Sequence, residues 1–179
     1  RSASEGGLGG GGWAVWIWSP MNGSVAALGG RAFAANPIYP PVVPAPWLIT
    51  PATIVLTLSV GAIWLRQSLQ RPAQFVDHAF AALLLTAQLV SPHGWVYYLW
   101  LIIGPAAAIV QSAKSHTCTL RDGLAALALP GLLIPFSLNT LGSSSPWAGL
   151  TLGSIYVWTT FFLWASLMVD WRLRIARWR

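Results

Sequence analysis

Residues 48–65 read LITPATIVLTLSVGAIWL, an apolar run without one Asp, Glu, Lys, Arg or His, closed by Arg66. A helix needs about 20 such residues to cross the hydrocarbon core of a bilayer. This one is apolar on every side, so a water-soluble fold would have to enclose it completely. Nothing around it offers to do so. Asp, Glu, Lys and Arg are absent from Ala32 to Leu65, from Ala79 to Ala113 and from Gly123 to Val169. Only 8% of the 179 residues are charged and 55% are hydrophobic, where a soluble domain carries about 25% charged residues. No amphipathic helices able to cover a buried core are visible. The fold class read from this is all-α, integral membrane.

Five spans follow from the same pattern: 48–65, 73–90, 95–113, 123–138 and 150–169. The second enters through Pro72, suited to a helix start. The break Ser91-Pro92-His93-Gly94 separates it from the third, and the fourth is short and interrupted by Pro130 and Pro135. Charge gives the spans a direction. The loops at Arg66–Arg71 and Lys114–Arg121 and the tail at 170–179 (Arg172, Arg174, Arg177, Arg179) fall on one side and hold eight of the ten basic residues. The loops Ser91–Gly94 and Asn139–Gly149 fall on the other and hold none. Short loops rich in Lys and Arg stay cytoplasmic, so the expected topology is multi-pass with a basic cytoplasmic tail. Trp47, Trp64, Trp95, Trp147, Trp171 and Trp178 stand at span ends, where indoles favour the headgroup region.

Ahead of the bundle, residues 1–12 are a Gly-rich, low-complexity start. The opening on Arg1 and glycines, rather than on Met and an apolar stretch, creates the expectation of a C-terminal portion of a longer protein. Residues 13–47 read as an extracytoplasmic loop, with a short surface helix over Asn22–Ala35. Pro37, Pro40, Pro41, Pro44 and Pro46 make the remainder an extended connector. The net charge of +6 does not point to nucleic acid, because the basic residues flank apolar segments instead of sharing one face. A single cysteine, Cys118, excludes an internal disulfide. His78, His93 and His116 have no metal-ligand spacing, so neither a metal nor a cofactor is expected.

Two clusters on the outward side carry chemistry-bearing residues. In Ser19-Pro20-Met21-Asn22-Gly23-Ser24, a helix starting after Pro20 would turn unpaired amides outward near Asn22 and Ser24, a setting suited to anions. Arg31, alone in charge there, could pair with a phosphate. The plainer reading is an N-capped surface helix with a snorkelling arginine. In Ser91-Pro92-His93-Gly94-Trp95, with Tyr97 and Tyr98 following, a proline and a glycine open the backbone between two apolar helices. His93 is the group there that titrates near neutral pH. An imidazole, an indole and phenols around a break can bond a phosphate and stack on a sugar. The plainer reading is a tight hairpin with interfacial aromatics. Asp77, at a helix start, reads as structural.

These two clusters resemble glycosyltransferase family 87, polyprenol-phosphate-mannose-dependent mannosyltransferases of the bacterial plasma membrane with the GT-C fold. Members carry an outward loop reading roughly Asn-Gln-Ser followed by Arg, here Asn22-Gly23-Ser24 and Arg31. They also carry a break reading Ser-Pro-x-Ser-Trp-x-His-His or Tyr, here Ser91-Pro92-His93-Gly94-Trp95-Val96-Tyr97-Tyr98. Gly23 stands for the usual glutamine, Gly94 for the usual serine, and Tyr97 and Tyr98 where histidine is common. The resemblance implies an inverting transfer of mannose from a polyprenyl-phosphate donor to a glycolipid or lipoglycan acceptor. It implies donor binding by Asn22, Ser24, Arg31, His93, Trp95 and Tyr98. It also implies a general-base aspartate in an outward loop nearer the N-terminus. The three aspartates here (Asp77, Asp122 and Asp170) fall on the cytoplasmic side, so the base is expected upstream of residue 1. A transporter or flippase portion and a non-catalytic membrane subunit are the alternative readings.

Overall fold

The computed structural model describes residues 19–36, 38–69, 76–92, 94, 102–115, 119–133 and 145–176. Every regular element among them is helical. They are α1 (Val25–Phe33), α2 (Ile49–Leu69), α3 (Val76–Val90), α4 (Ile103–Ser115), α5 (Thr119–Leu133), α6 (Pro146–Leu150) and α7 (Ile155–Ala176). Short 3-10 turns at Pro46–Leu48 and Leu152–Ser154 lead into α2 and α7.

Two of these stretches, Pro46–Leu69 and Pro146–Leu173, are long and apolar enough to cross a membrane. They occupy opposite situations. The apolar window of Pro146–Leu173 is 61% buried, whereas that of Pro46–Leu69 is 6% buried. α7 is therefore the central post of the bundle. Its Val157, Leu163, Trp164, Leu167, Met168 and Trp171 pack with Leu85 and Leu89 of α3, Ile109 of α4 and Ala128 of α5. Deep in that core, Trp164 Nε1 donates to Thr86 Oγ1 at 3.0 Å, giving a buried indole N–H the partner it needs.

The closest approach is between α5 and α7. A Cβ built on Gly131 would lie 1.7 Å from Thr159 Oγ1, 2.9 Å from its Cβ and 3.0 Å from Ile155 O. Small residues let helix backbones approach in this way. Pro130, expected to interrupt the helix, lies inside α5. Gly131→Ala should cost about 1–3 kcal/mol through overpacking, read as a lower unfolding temperature in detergent. Gly123→Ala on the same helix, whose Cβ would meet nothing within 4 Å, should not lower it.

The helix limits differ from the expected spans in informative ways. α2 starts as expected but runs through Arg66 to Leu69. α5 begins at Thr119, which takes Arg121 and Asp122 into its first turn. α7 runs on to Ala176, so residues 170–176 are a helical continuation and not a free tail. The physical reason lies in Asp170 and Trp171, which are 2% and 0% exposed and are held by partners on neighbouring helices. α1 occupies the middle of the expected surface helix, but Val25, Ala26, Ala27, Gly29, Gly30 and Arg31 are buried, so it is packed into the molecule. The connector after it does not simply extend. Val42 and Val43 N–H donate to Ala32 O, and Ala45 N–H to Phe33 O, which satisfies carbonyls at the C-terminal end of α1. The Gly-rich start, residues 13–18, the first turn of the second span, residues 95–101 of the third and residues 134–144 lie outside the described residues.

Candidate functional site

Side-chain ties gather at the two ends of the bundle. α3 has His78 near its start and Pro92 just past its end; α7 has Ser154 just before its start and Asp170 near its end. The contacts join like with like across these ends. One end holds the motif segments and the other holds an ion cluster.

At the motif end the two sequence clusters, 70 residues apart, meet directly. Asn22 Nδ2 donates to Pro92 O at 2.8 Å, and Gly23 N–H donates to Gly94 O at 2.6 Å. The second segment is shaped by a turn in which Gly94 N–H returns to Ser91 O at 3.2 Å, with Pro92 at its second position, where proline is pre-set. The first is an Asx turn: Asn22 Oδ1 accepts from Ser24 N–H at 3.0 Å. Ser24 then caps α1, its Oγ accepting from Ala27 N–H at 3.2 Å.

Gly23 and Gly94 lie at one contact. A Cβ on Gly94 would come within 2.6 Å of Gln88 O, 3.1 Å of Ser24 N and 3.2 Å of Ser24 Cβ. A Cβ on Gly23 would meet Gly94 O at 3.3 Å. Glycine in both places lets the two backbones touch.

Asn22, Ser24 and Arg31 are each 0% exposed. The Arg31 guanidinium is spread among protein oxygens. Nε donates to Ser154 Oγ at 2.8 Å, Nη1 to Ser19 O at 2.6 Å and Nη2 to Asn22 O at 3.3 Å. Burial lowers its pKa to about 9, with Tyr39 acting in the opposite sense. The group remains a cation at neutral pH, so a positive charge lies directly beneath the paired segments. Burial pushes the Tyr39 phenol up, with Arg31 opposing. His93, Trp95 and Tyr98 lie outside the described residues.

Sequence reasoning missed Ser154 and Tyr39 at this end. Ser154 Oγ donates to Gly149 O at 2.7 Å while accepting from Arg31. Tyr39, 0% exposed, lies against Gly149 and Gly153, where added Cβ atoms would come 3.1 Å and 2.7 Å from its ring. The four-residue spacing of Gly149 and Gly153 was the available signal, since it marks close approach on a helical face.

The opposite end was also missed. Asp170 Oδ1 accepts from Arg121 Nη1 at 3.0 Å, and its Oδ2 lies 3.2 Å from His78 Nε2. Arg121 Nε donates to Asp122 at 2.7 Å, and Ser166 Oγ donates to Arg121 O at 2.9 Å. Asp170 and Asp122, with Asp77 at the start of α3, therefore stand at the end away from the motif segments. None of the three can serve as a base there. Among the described residues no cluster of His, Cys, Asp and Glu could hold a metal ion.

Beside the motif end an open groove of about 620 Å³ runs between α1, α2 and the start of α7. Its walls, among them Leu28, Phe33, Val55, Leu56 and Trp158, present no polar surface. Compared with known proteins, the chain matches no family model, no curated protein and no solved structure.

Proposed function

We propose that this chain is part of a membrane glycosyltransferase. It moves mannose from a polyprenyl-phosphate donor to a glycolipid or lipoglycan acceptor at the outer face of a bacterial plasma membrane. The observation that carries the reading is the direct contact of Asn22-Gly23-Ser24 with the Pro92–Gly94 turn. Segments singled out separately as donor-binding converge on one place. The buried Arg31 cation beneath them favours an anion above, and the apolar groove alongside suits a prenyl chain. Membrane residence is supported by α2. Ile54, Val55, Leu58, Leu65 and Leu69 on that helix are 49–77% exposed, a surface that water would penalise and lipid would not. About five spans, with the basic loops in the cytoplasm, complete the proposal.

The chemistry is a displacement at the anomeric carbon. An acceptor hydroxyl oxygen bonds to that carbon, the carbon–oxygen bond to the lipid phosphate breaks, and the hydroxyl proton passes to a base outside this chain. His93, between Pro92 and Gly94 in the sequence, is proposed to donate to the departing phosphate, with Trp95 and Tyr98 contacting donor sugar and phosphate. Asn22, Ser24 and Arg31 keep that surface in shape. Transfer from polyprenol-phosphate-mannose is measured with the complete gene product in membranes. His93→Ala is expected to lower kcat/KM for the donor about a hundredfold. Full activity in that variant removes His93 from the site, and no transfer by the wild type removes the function. A transporter reading draws on the helix break at Thr151, between α6 and α7, because substrate sites often adjoin broken helices. Uptake or flipping of a lipid-linked sugar without transfer would favour it.

A further inference from the structure

We infer that Ser154 and Tyr39, which belong to neither motif, are positioning residues of the paired segments and act through Arg31. This rests on the glycosyltransferase reading only for its kinetic consequence; the mechanical part stands without it. Arg31 Nη1 and Nη2 hold the carbonyls of Ser19 and Asn22, so one side chain bolts both ends of the turn that presents Asn22 to Pro92. That bolt is anchored at Nε by Ser154 Oγ. The same hydroxyl donates a hydrogen bond to Gly149 O, bridging the interruption at Thr151, where φ is −98° and ψ −89°. The geometry of the break therefore sets where the guanidinium sits.

Tyr39 secures the break from the other side. Its buried ring fills the cradle left by Gly149 and Gly153, and its backbone N–H is fixed by Asn36 Oδ1 at 2.7 Å. Three segments distant in sequence (the connector at 36–45, the break at 149–154 and the turn at 19–24) are thus coupled through one buried cation. Loss of the Ser154 hydroxyl takes that contact from the buried Arg31 Nε–H and leaves Gly149 O without that donor. The loop is then free to leave the Pro92–Gly94 turn.

The test uses accessibility in the complete protein, in membranes, with Cys118→Ser as background. Val25→Cys, 6% exposed in the native residue, reports the start of α1, and membrane-permeant N-ethylmaleimide is the probe. Ser154→Ala and Tyr39→Leu should each speed labelling about tenfold or more, as expected for losing a buried contact to a charged group or its support. In the transfer assay Ser154→Ala should raise the donor KM with the acceptor KM unchanged, a split that general destabilisation does not produce. Unchanged labelling in both Ser154→Ala and Tyr39→Leu overturns the inference, and either variant decides it if the other fails to accumulate. Faster labelling in a protein that transfers no sugar sinks the enzymatic reading and leaves the coupling intact.

Discussion

Asp170→Ala is expected to destabilise the protein by about 3 kcal/mol or more, because it removes one partner of a buried ion pair and strands the other. Arg121 and Asp170 are 0% and 2% exposed, and Asp170 also engages His78. The substitution leaves Arg121 with Asp122, whose side chain is 46% exposed and so offers a weaker, solvent-screened contact. Three helices, α3, α5 and α7, lose their common tie at that end. The loss should appear as a drop in unfolding temperature in detergent, with the proposed mannosyl transfer by the surviving folded fraction little changed, because the cluster is remote from the motif end. The double variant Arg121→Met with Asp170→Leu should recover much of the stability, since apolar replacement of both members removes the stranded charge. Equal destabilisation by the single and double variants would show that charge pairing does not hold this end together.

Gly94→Ala is expected to separate the two motif segments and abolish transfer while the helical bundle survives. The new methyl would lie 2.6 Å from Gln88 O and near 3.1 Å from Ser24 N. Both are backbone atoms, so no side-chain rotation relieves the contact. Either the turn or the cap of α1 must move, breaking the Gly23–Gly94 and Asn22–Pro92 bonds. Two lost buried hydrogen bonds and the overpacking together amount to roughly 3–5 kcal/mol of local stability. That local opening is read as faster maleimide labelling of Val25→Cys. Retained transfer and slow labelling in Gly94→Ala would mean that the segments need not touch.

Much of the architecture was legible because periodicity and charge are local signals. The start of α2, the Ser24 cap and the alternation of basic and uncharged loops could be read from neighbouring residues. The polar contacts gather His78, Arg121 and Asp170 at one end of the bundle and Asn22, Pro92, Gly94 and Ser154 at the other. The site was legible in part. The two clusters were singled out, but their inner working was not. Arg31 offered the same type and spacing whatever it met, and its bond to Ser154, 123 residues away, is supplied only by the tertiary structure.

The sequence alone determined that apolar helices dominate this protein, which segments end them, and which two turns differ in character from the rest. Those properties follow from hydropathy, proline, glycine and charge within a few residues. Only the tertiary structure decided which helix is central and which lies bare, because α2 and α7 are both long and apolar enough to cross a membrane and only their surroundings distinguish them. It also decided that Arg31 and Asp170 are buried anchors at opposite ends. A charge in an apolar setting is kept by partners from distant segments, and no local pattern names them.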